Sequence, residues 1–414
     1  MRDLASLHWD TIGPASGGAS IGVAVILRKA VSDGPALELF LRAAASTGEP
    51  VLLLVNDGHR STLTNPALAA LAEFSRVLGV QPRFRALVAT GTHRFSAEER
   101  RAFEALTFAD CGLQIEAVAW HDVTDAASQT AVNGMCLHRW LAESRFLLPI
   151  GSVEPHYFAG VTGAHKTVTI GCMAWQDIER NHAGALAPES DVLRLRGNPV
   201  FDGIVECLGK LQSAGKTICA INEVVRGDEL MAAAVGDPLE TLDRLLPTVR
   251  QVFVRPIERP ADLLRLRVPL PLGRNLYQAD KALKNNQLAV RDGGGIVLEA
   301  DCPEGVGPDA FMNLLRRAAD YATAQQIVAQ EGYRLGDHKA VKLRYLTDRA
   351  QRGVHVALVS PRVSDADAQS AGMKVFPELA PALDWPARVV TGPLERGLII
   401  EDAGVTCATL GPHR

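Results

Sequence analysis

The stretch Val51-Leu52-Leu53-Leu54-Val55-Asn56-Asp57-Gly58-His59-Arg60 decides how the chain is read. Five consecutive apolar residues read as a strand buried on both faces, as in a parallel sheet. The run then breaks at once into a polar turn. The same switch recurs twice. A strand over 86–90 enters Gly91-Thr92-His93-Arg94, and one over 146–150 enters Gly151-Ser152-Val153-Glu154-Pro155-His156. Further strands are expected over 21–27, 115–119, 217–221 and 252–254. Helical patterns lie between them, over 65–77, 97–108 and 134–141. Ser96 and Glu99, three residues apart, fit a capping box at the start of the second of these.

Strand–helix alternation of this kind predicts an α/β fold with mainly parallel sheets. At 414 residues the chain exceeds a single typical core, so two domains are expected. The proline-punctuated stretch from Arg255-Pro256 to Leu270-Pro271-Leu272-Gly273 marks the boundary. The first α/β domain is read as 1–255, rejoined by 389–414 through a strand at 389–390 and a tail near 398–400. The second is read as 256–388, with helices over 276–285 and 310–330 and strands over 296–300 and 354–359. The active site is expected in the cleft between the two.

Composition removes several classes. The chain is 47% hydrophobic and 22% charged, which excludes extensive disorder. Its 43 basic and 47 acidic residues are spread along it, with no concentrated basic face for nucleic acid. No apolar run reaches the roughly 18 residues of a membrane span. The opening MRDLASLHWD lacks the pattern of a secretory signal. The 7 cysteines are odd in number, scattered and free of any CxxC pair. A disulfide framework or structural zinc site is therefore not expected, and the cytoplasm is the expected compartment.

The polar residues then carry the chemistry. Ligands of open α/β sheets bind outside the carboxyl ends of the strands. If the three strands above are neighbours, Asp57, Arg60, His93 and His156 share one rim. Of the 11 histidines, those at 59, 93, 121, 138, 156, 165 and 182 fall in one stretch. Imidazole suits both proton transfer and metal binding, yet the spacings match no compact metal motif. In His156-Tyr157-Phe158-Ala159-Gly160-Val161-Thr162-Gly163-Ala164-His165-Lys166, two glycines permit close backbone approach, as around a cofactor. It is not a Walker A loop. Later, Tyr277, Gln278 and Lys281 open a helix, with Gln278 and Lys281 on one face. Gly293-Gly294-Gly295 turns into a strand without a dinucleotide fingerprint.

Taken in order, these motifs resemble the lactate racemase family, the nickel-pincer nucleotide enzymes. The matching residues are Asp57 and Arg60, Gly91 to Arg94, His156 with Lys166 ten residues on, and Asn181-His182. Tyr277-Gln278 with Lys281, Gly293-Gly294 and Cys302-Pro303-Glu304-Gly305 follow. The resemblance implies a racemase or epimerase acting at C2 of a 2-hydroxy acid, by hydride transfer through a 2-keto acid. It implies a nickel-pincer nucleotide held covalently by Lys166, with His182 completing nickel coordination. His93 and His156 would be the general acid/bases, one on each side of the substrate. Arg60 and Lys281 would hold its carboxylate, with Tyr277 and Gln278 positioning substrate and cofactor. Asp57 would lie at the cofactor end or orient a neighbour. Implied partners are a small 2-hydroxy acid and the cofactor-maturation enzymes, with no nucleic acid and no membrane.

The sequence departs from the family pattern in places. Ala164-His165 precedes the Lys, Phe95 follows Gly-Thr-His-Arg, Ile170-Gly171 stands for Pro-Gly, and His59 adds a polar group beside the substrate end. His165 is open to a cofactor contact or a spare acid/base role, and with His59 would suit a longer or more polar substrate. Two other classes compete. A non-catalytic carrier of the cofactor would show no turnover even when loaded. A hydrolase using His93, His156 and His182 as metal ligands would leave Lys166 unmodified.

Overall fold

The computed structural model describes residues 7–15 and 22–411. Strand Val51–Asn56 pairs in parallel with Phe84–Ala89 on one side and Phe146–Ser152 on the other. Asn56 lies opposite Ala89, and Val55 opposite Ile150. The three polar loops therefore leave one edge of the sheet side by side, as the sequence reading requires. Alternate side chains explain the unbroken apolar run. Leu53 and Val55 enter a core with Leu27, Leu41 and Leu68, while Leu52 and Leu54 enter another with Leu137, Ile178 and Val200. Each of these fully buried leucines contributes about 2 kcal/mol.

This first sheet runs Glu229–Gly236, Ala220–Arg226, Phe146–Ser152, Val51–Asn56, Phe84–Ala89, Ile115–Trp120. Only Glu229–Gly236 is antiparallel to its neighbour. The second sheet runs His8–Ile12, Arg396–Ile400, Ala261–Arg267, Val290–Glu299, His355–Val359, Met373–Phe376, and every pairing in it is parallel. Two mainly parallel α/β layers are thus present.

Several elements differ from the sequence reading. The tail was expected to rejoin the first unit. Instead Arg396–Ile400 sits inside the second sheet, because Leu398 and Ile400 are buried in that sheet's core. The first strand of the chain, His8–Ile12, lies at the same sheet's edge. Residues 389–390 are not a strand; helix Leu379–Val389 ends there. Cys407–Leu410 pairs with Val254–Ile257, near the boundary. The expected strand over 21–27 is helix Val23–Ser32, whose buried Leu27, Ala30 and Val31 have helical spacing; residue 21 lies outside the described residues. The single helix expected over 310–330 is two, Asp309–Arg317 and Tyr321–Glu331, since Asp320 caps the second by accepting from Thr323 N. The helix expected over 134–141 is a hairpin, Gln129–Val132 with Met135–His138, followed by the short helix Arg139–Glu143. Asn133 and Gly134 both take positive φ at its turn. The capping box at Ser96 and Glu99 is present.

Candidate active site

The three loop ends and the opening of helix Leu276–Asn285 enclose one cavity, with about 860 Å³ of empty space including its mouth. Asp57, Arg60, His93, His156, Lys166, His182, Tyr277, Gln278 and Lys281 all line it. Each is placed by local structure. Asp57 is buried and engages both carboxylate oxygens: Oδ1 accepts from His59 N at 2.9 Å, and Oδ2 lies 2.8 Å from His93 Nδ1. Burial alone would raise its pKa, but the facing His93 and His59 hold it below the usual value. Its contacts thus fit the orienting alternative better than a cofactor contact.

His156 rides on a tight hairpin, Pro155–His156 against Gly160–Val161. Gly160 takes φ +75°, and a side chain there would collide with the Arg194 carbonyl. The His156 ring stacks on Tyr157, and its Nε2 lies 3.3 Å from Lys166 Nζ. Burial, then the charges of Lys166, Lys281 and Arg60, push it well below its ordinary pKa, so it is neutral.

Lys166 sits on the short helix Ala164–Val168. That helix is fastened by Asn222 Oδ1, which accepts from Ala164 N at 2.8 Å, and by Asn56 Nδ2, which donates to Thr167 Oγ1 at 2.9 Å. Burial, then Arg60, bring the Lys166 amine down to about 7, against an opposing pull from Glu154. These two neighbours predict opposite shifts. Glu154→Gln lowers the midpoint for acylation of Lys166 by a small acylating, amine-reactive reagent, and Arg60→Met raises it. Peptide mass spectrometry across a pH series checks both, and movement in the same direction would refute the assignment.

The second sheet's unit supplies the opposite wall. Asn275 Oδ1 caps its helix by accepting from Gln278 N at 3.0 Å. Glu304 braces the turn, accepting from Asn275 Nδ2 at 3.0 Å and Arg274 Nε at 3.0 Å. That gives the Cys302-Pro303-Glu304-Gly305 motif a structural role. Gly294 is a close backbone approach within strand Val290–Glu299, away from the cavity lining: an added Cβ would lie 2.9 Å from the Asp262 carbonyl.

Four functional candidates escaped the sequence reading. Glu154 accepts from Arg60 Nη1 at 2.7 Å and fixes the guanidinium. Lys339 lines the cavity, donates to the Tyr277 carbonyl at 2.6 Å and lies 3.6 Å from buried Asp280. His338 joins the units, with Nε2 3.0 Å from Tyr157 Oη and Nδ1 2.7 Å from Tyr333 Oη. Asn56 ties the loops through Thr62 and Thr167. Only Glu154 and Asn56, at strand ends, carried any local signal.

His165 does not line the cavity. It is fully buried, packs against Phe201, and burial holds it neutral at about 3. The spare acid/base or cofactor-contact role is therefore corrected. His93, His156 and His182 do not converge either. Among the described residues, the group whose donor atoms lie within 4.8 Å of one another is Asp57, His59 and His93. That removes the geometric basis of the hydrolase alternative.

Charge completes the picture. Arg60, Lys166, Lys281 and Lys339 line one cavity. Glu154 balances Arg60, and Asp280 faces Lys339 and Lys284. Lys281 has no carboxylate within ion-pair distance among the described residues. Burial, then Arg60 and Lys339, depress its pKa well below the ordinary value. The cavity is thus built to receive an anion.

Residues 21–192 match the family model for the lactate racemase N-terminal domain, and 267–403 match that for the C-terminal domain. The chain belongs to the lactate racemase family. His93, His156, Lys166 and His182 fall in the first matched segment, and Tyr277, Gln278, Lys281 and Lys339 in the second. The lactate racemase of Lactiplantibacillus plantarum is 24% identical over 279 residues, 65% of this chain and 64% of that one. The lactate racemase of Thermoanaerobacterium thermosaccharolyticum is 22% identical over 290 residues, 68% of this chain and 66% of that one. The match thus spans just under two thirds of each relative's length. The solved lactate racemase apoprotein of the latter organism superposes with a TM-score of 0.82 at 18% identity, covering 99% of this chain and 96% of that one. A Thermotoga maritima protein follows at 0.68 and 16%, covering 94% and 97%. These superpositions establish the family fold across both units.

Proposed function

We propose that the chain racemises or epimerises a 2-hydroxy acid at C2. The observation that carries this reading is two histidines, His93 and His156, in one cavity that also holds unpaired cationic charge and a buried lysine amine. The curated relatives are named lactate racemases. Lactate is one member of the substrate class proposed here.

The cavity residues fit a nickel-pincer nucleotide on two counts. A lysine attacks an acyl-type carbon only as the free amine, and Lys166 titrates near neutrality. His182 is neutral at about 3, mainly through burial, and its Nδ1 lies buried near the Ile178 carbonyl without a well-formed hydrogen bond. A neutral imidazole is the metal-binding form. Lys166 would hold the nucleotide and His182 the nickel. When bound, the group supplies an electron-poor carbon suited to exchanging hydride.

The protein's own residues do the rest. Arg60, held from behind by Glu154, and Lys281 take the substrate carboxylate; a guanidinium fork with an ammonium suits that anion. Tyr277 and Gln278 stand on the same helix as Lys281 and position the substrate between the two units. One histidine takes the hydroxyl proton of one enantiomer, and the other returns a proton on the opposite side. Neutral His156 is ready to accept. His93 is held by Asp57, which fixes the ring and supports the charge it gains. The unit-to-unit contact through His338 brings the walls together and limits water.

No helix among the described residues is long and apolar enough to cross a membrane. All 7 cysteines are unpaired. Both agree with the cytoplasmic placement that we propose, where maturation enzymes would load the chain. The test is production alongside those enzymes. Peptide mass spectrometry then shows a nickel-containing adduct on Lys166, and chiral chromatography shows inversion of a 2-hydroxy acid. A bare Lys166, with a known racemase loaded in parallel, overturns the cofactor assignment. A loaded chain inert on a broad 2-hydroxy acid panel favours the carrier.

A further inference from the structure

His59 is not used by the mechanism above and does not line the cavity, yet it packs directly behind His93. Its ring lies 4.5 Å from that of His93 and 4.6 Å from that of Phe95, centroid to centroid. Its Nδ1 is buried with no hydrogen-bond partner. A buried nitrogen without a partner is costly to keep unless something binds it. One donor atom from each of Asp57, His59 and His93 falls within 4.8 Å of the other two.

The fold explains the convergence. Strands Val51–Asn56 and Phe84–Ala89 are in-register neighbours, so their loops abut. Asp57 Oδ1 accepts from His59 N and so folds the first loop back on itself. Two imidazoles and one carboxylate form a donor set for a borderline transition-metal dication, with a remaining position for water. The nearby guanidiniums do not oppose it unbalanced, because Arg60 pairs with Glu154 and Arg274 with Glu304.

We propose that Asp57, His59 and His93 form a second metal site, for a zinc-like divalent cation, distinct from the one expected at His182. Binding stands on this geometry alone. Its consequence rests on the proposed role of His93. An imidazole with a metal on one nitrogen and hydrogen on the other has no lone pair left to accept a proton. A filled site therefore inhibits turnover.

Cobalt(II) titrated into the cofactor-free chain reports the site through its visible d–d absorption. The expected result is one equivalent giving a band without thiolate charge transfer, displaced by zinc. In His59→Asn the affinity falls by at least about tenfold, while in His182→Asn it is unchanged. His59→Gln and a thermal melt guard against misfolding. No band in the unaltered chain, or an equal one in both His59 variants, overturns the proposal. So does a band lost only in His182→Asn. The titration needs neither cofactor nor turnover, so its failure is separate from failure of the racemase reading.

Discussion

Replacing His93 or His156 with alanine lowers turnover of the loaded protein by about 10²–10⁴-fold, the usual weight of a positioned acid/base. The loss appears from either enantiomer, because each passage between them uses both rings. The adduct on Lys166 stays in place. Chiral chromatography from each pure enantiomer, with mass spectrometry of the same sample, checks this. Full activity in either variant would remove that histidine from the mechanism. The two are expected to respond differently to their surroundings. His93 has a carboxylate at 2.8 Å, so Asp57→Asn should imitate much of the His93 defect. His156 has no acidic partner and is kept neutral by burial and by Lys166, Lys281 and Arg60.

Lys166→Met stabilises the cofactor-free chain by on the order of 4 kcal/mol at neutral pH. The folded amine titrates at about 7 against an unperturbed 10.5. Between those values the unfolded chain binds a proton that the folded one does not. Stability from this group therefore falls as pH drops from 10.5 to 7 and levels off below. The methionine variant escapes that cost, so its advantage is largest below pH 7 and shrinks to under about 1 kcal/mol near pH 10. Urea denaturation at pH 6.5 and pH 10 measures it. An equal gain at both would show that packing, not charge, is responsible. The same variant acquires no adduct. A site that lowers stability until it is loaded is expected where function opposes folding.

The α/β architecture was legible because burial on both faces forces unbroken apolar runs such as 51–55, whose turn residues then fall at one edge. Helix Leu276–Asn285 was legible from its cap and periodicity. Val23–Ser32 was not, because a short apolar run does not distinguish strand from buried helix. The hairpin turning at Asn133-Gly134 carried a strong signal that the helical reading overrode. The strand Arg396–Ile400 was assigned to the wrong sheet, since parallel pairing is set by crossovers rather than by anything local. The residues expected to line the cavity do line it, because ordered motifs hold their positions. Their supports were invisible. Nothing near residue 339 announces a lysine that meets Tyr277 across 62 positions, and His165 looks as reactive as His156 until its burial against Phe201 is seen.

The opening strand His8–Ile12 has a bearing on how this protein tolerates cutting. It shields one side of Arg396–Ile400, a strand contributed by the far end of the chain. A fragment starting after residue 12 would bare that side's backbone amides and carbonyls, an invitation to pair with another molecule. The two units therefore do not separate at a single cleavage point.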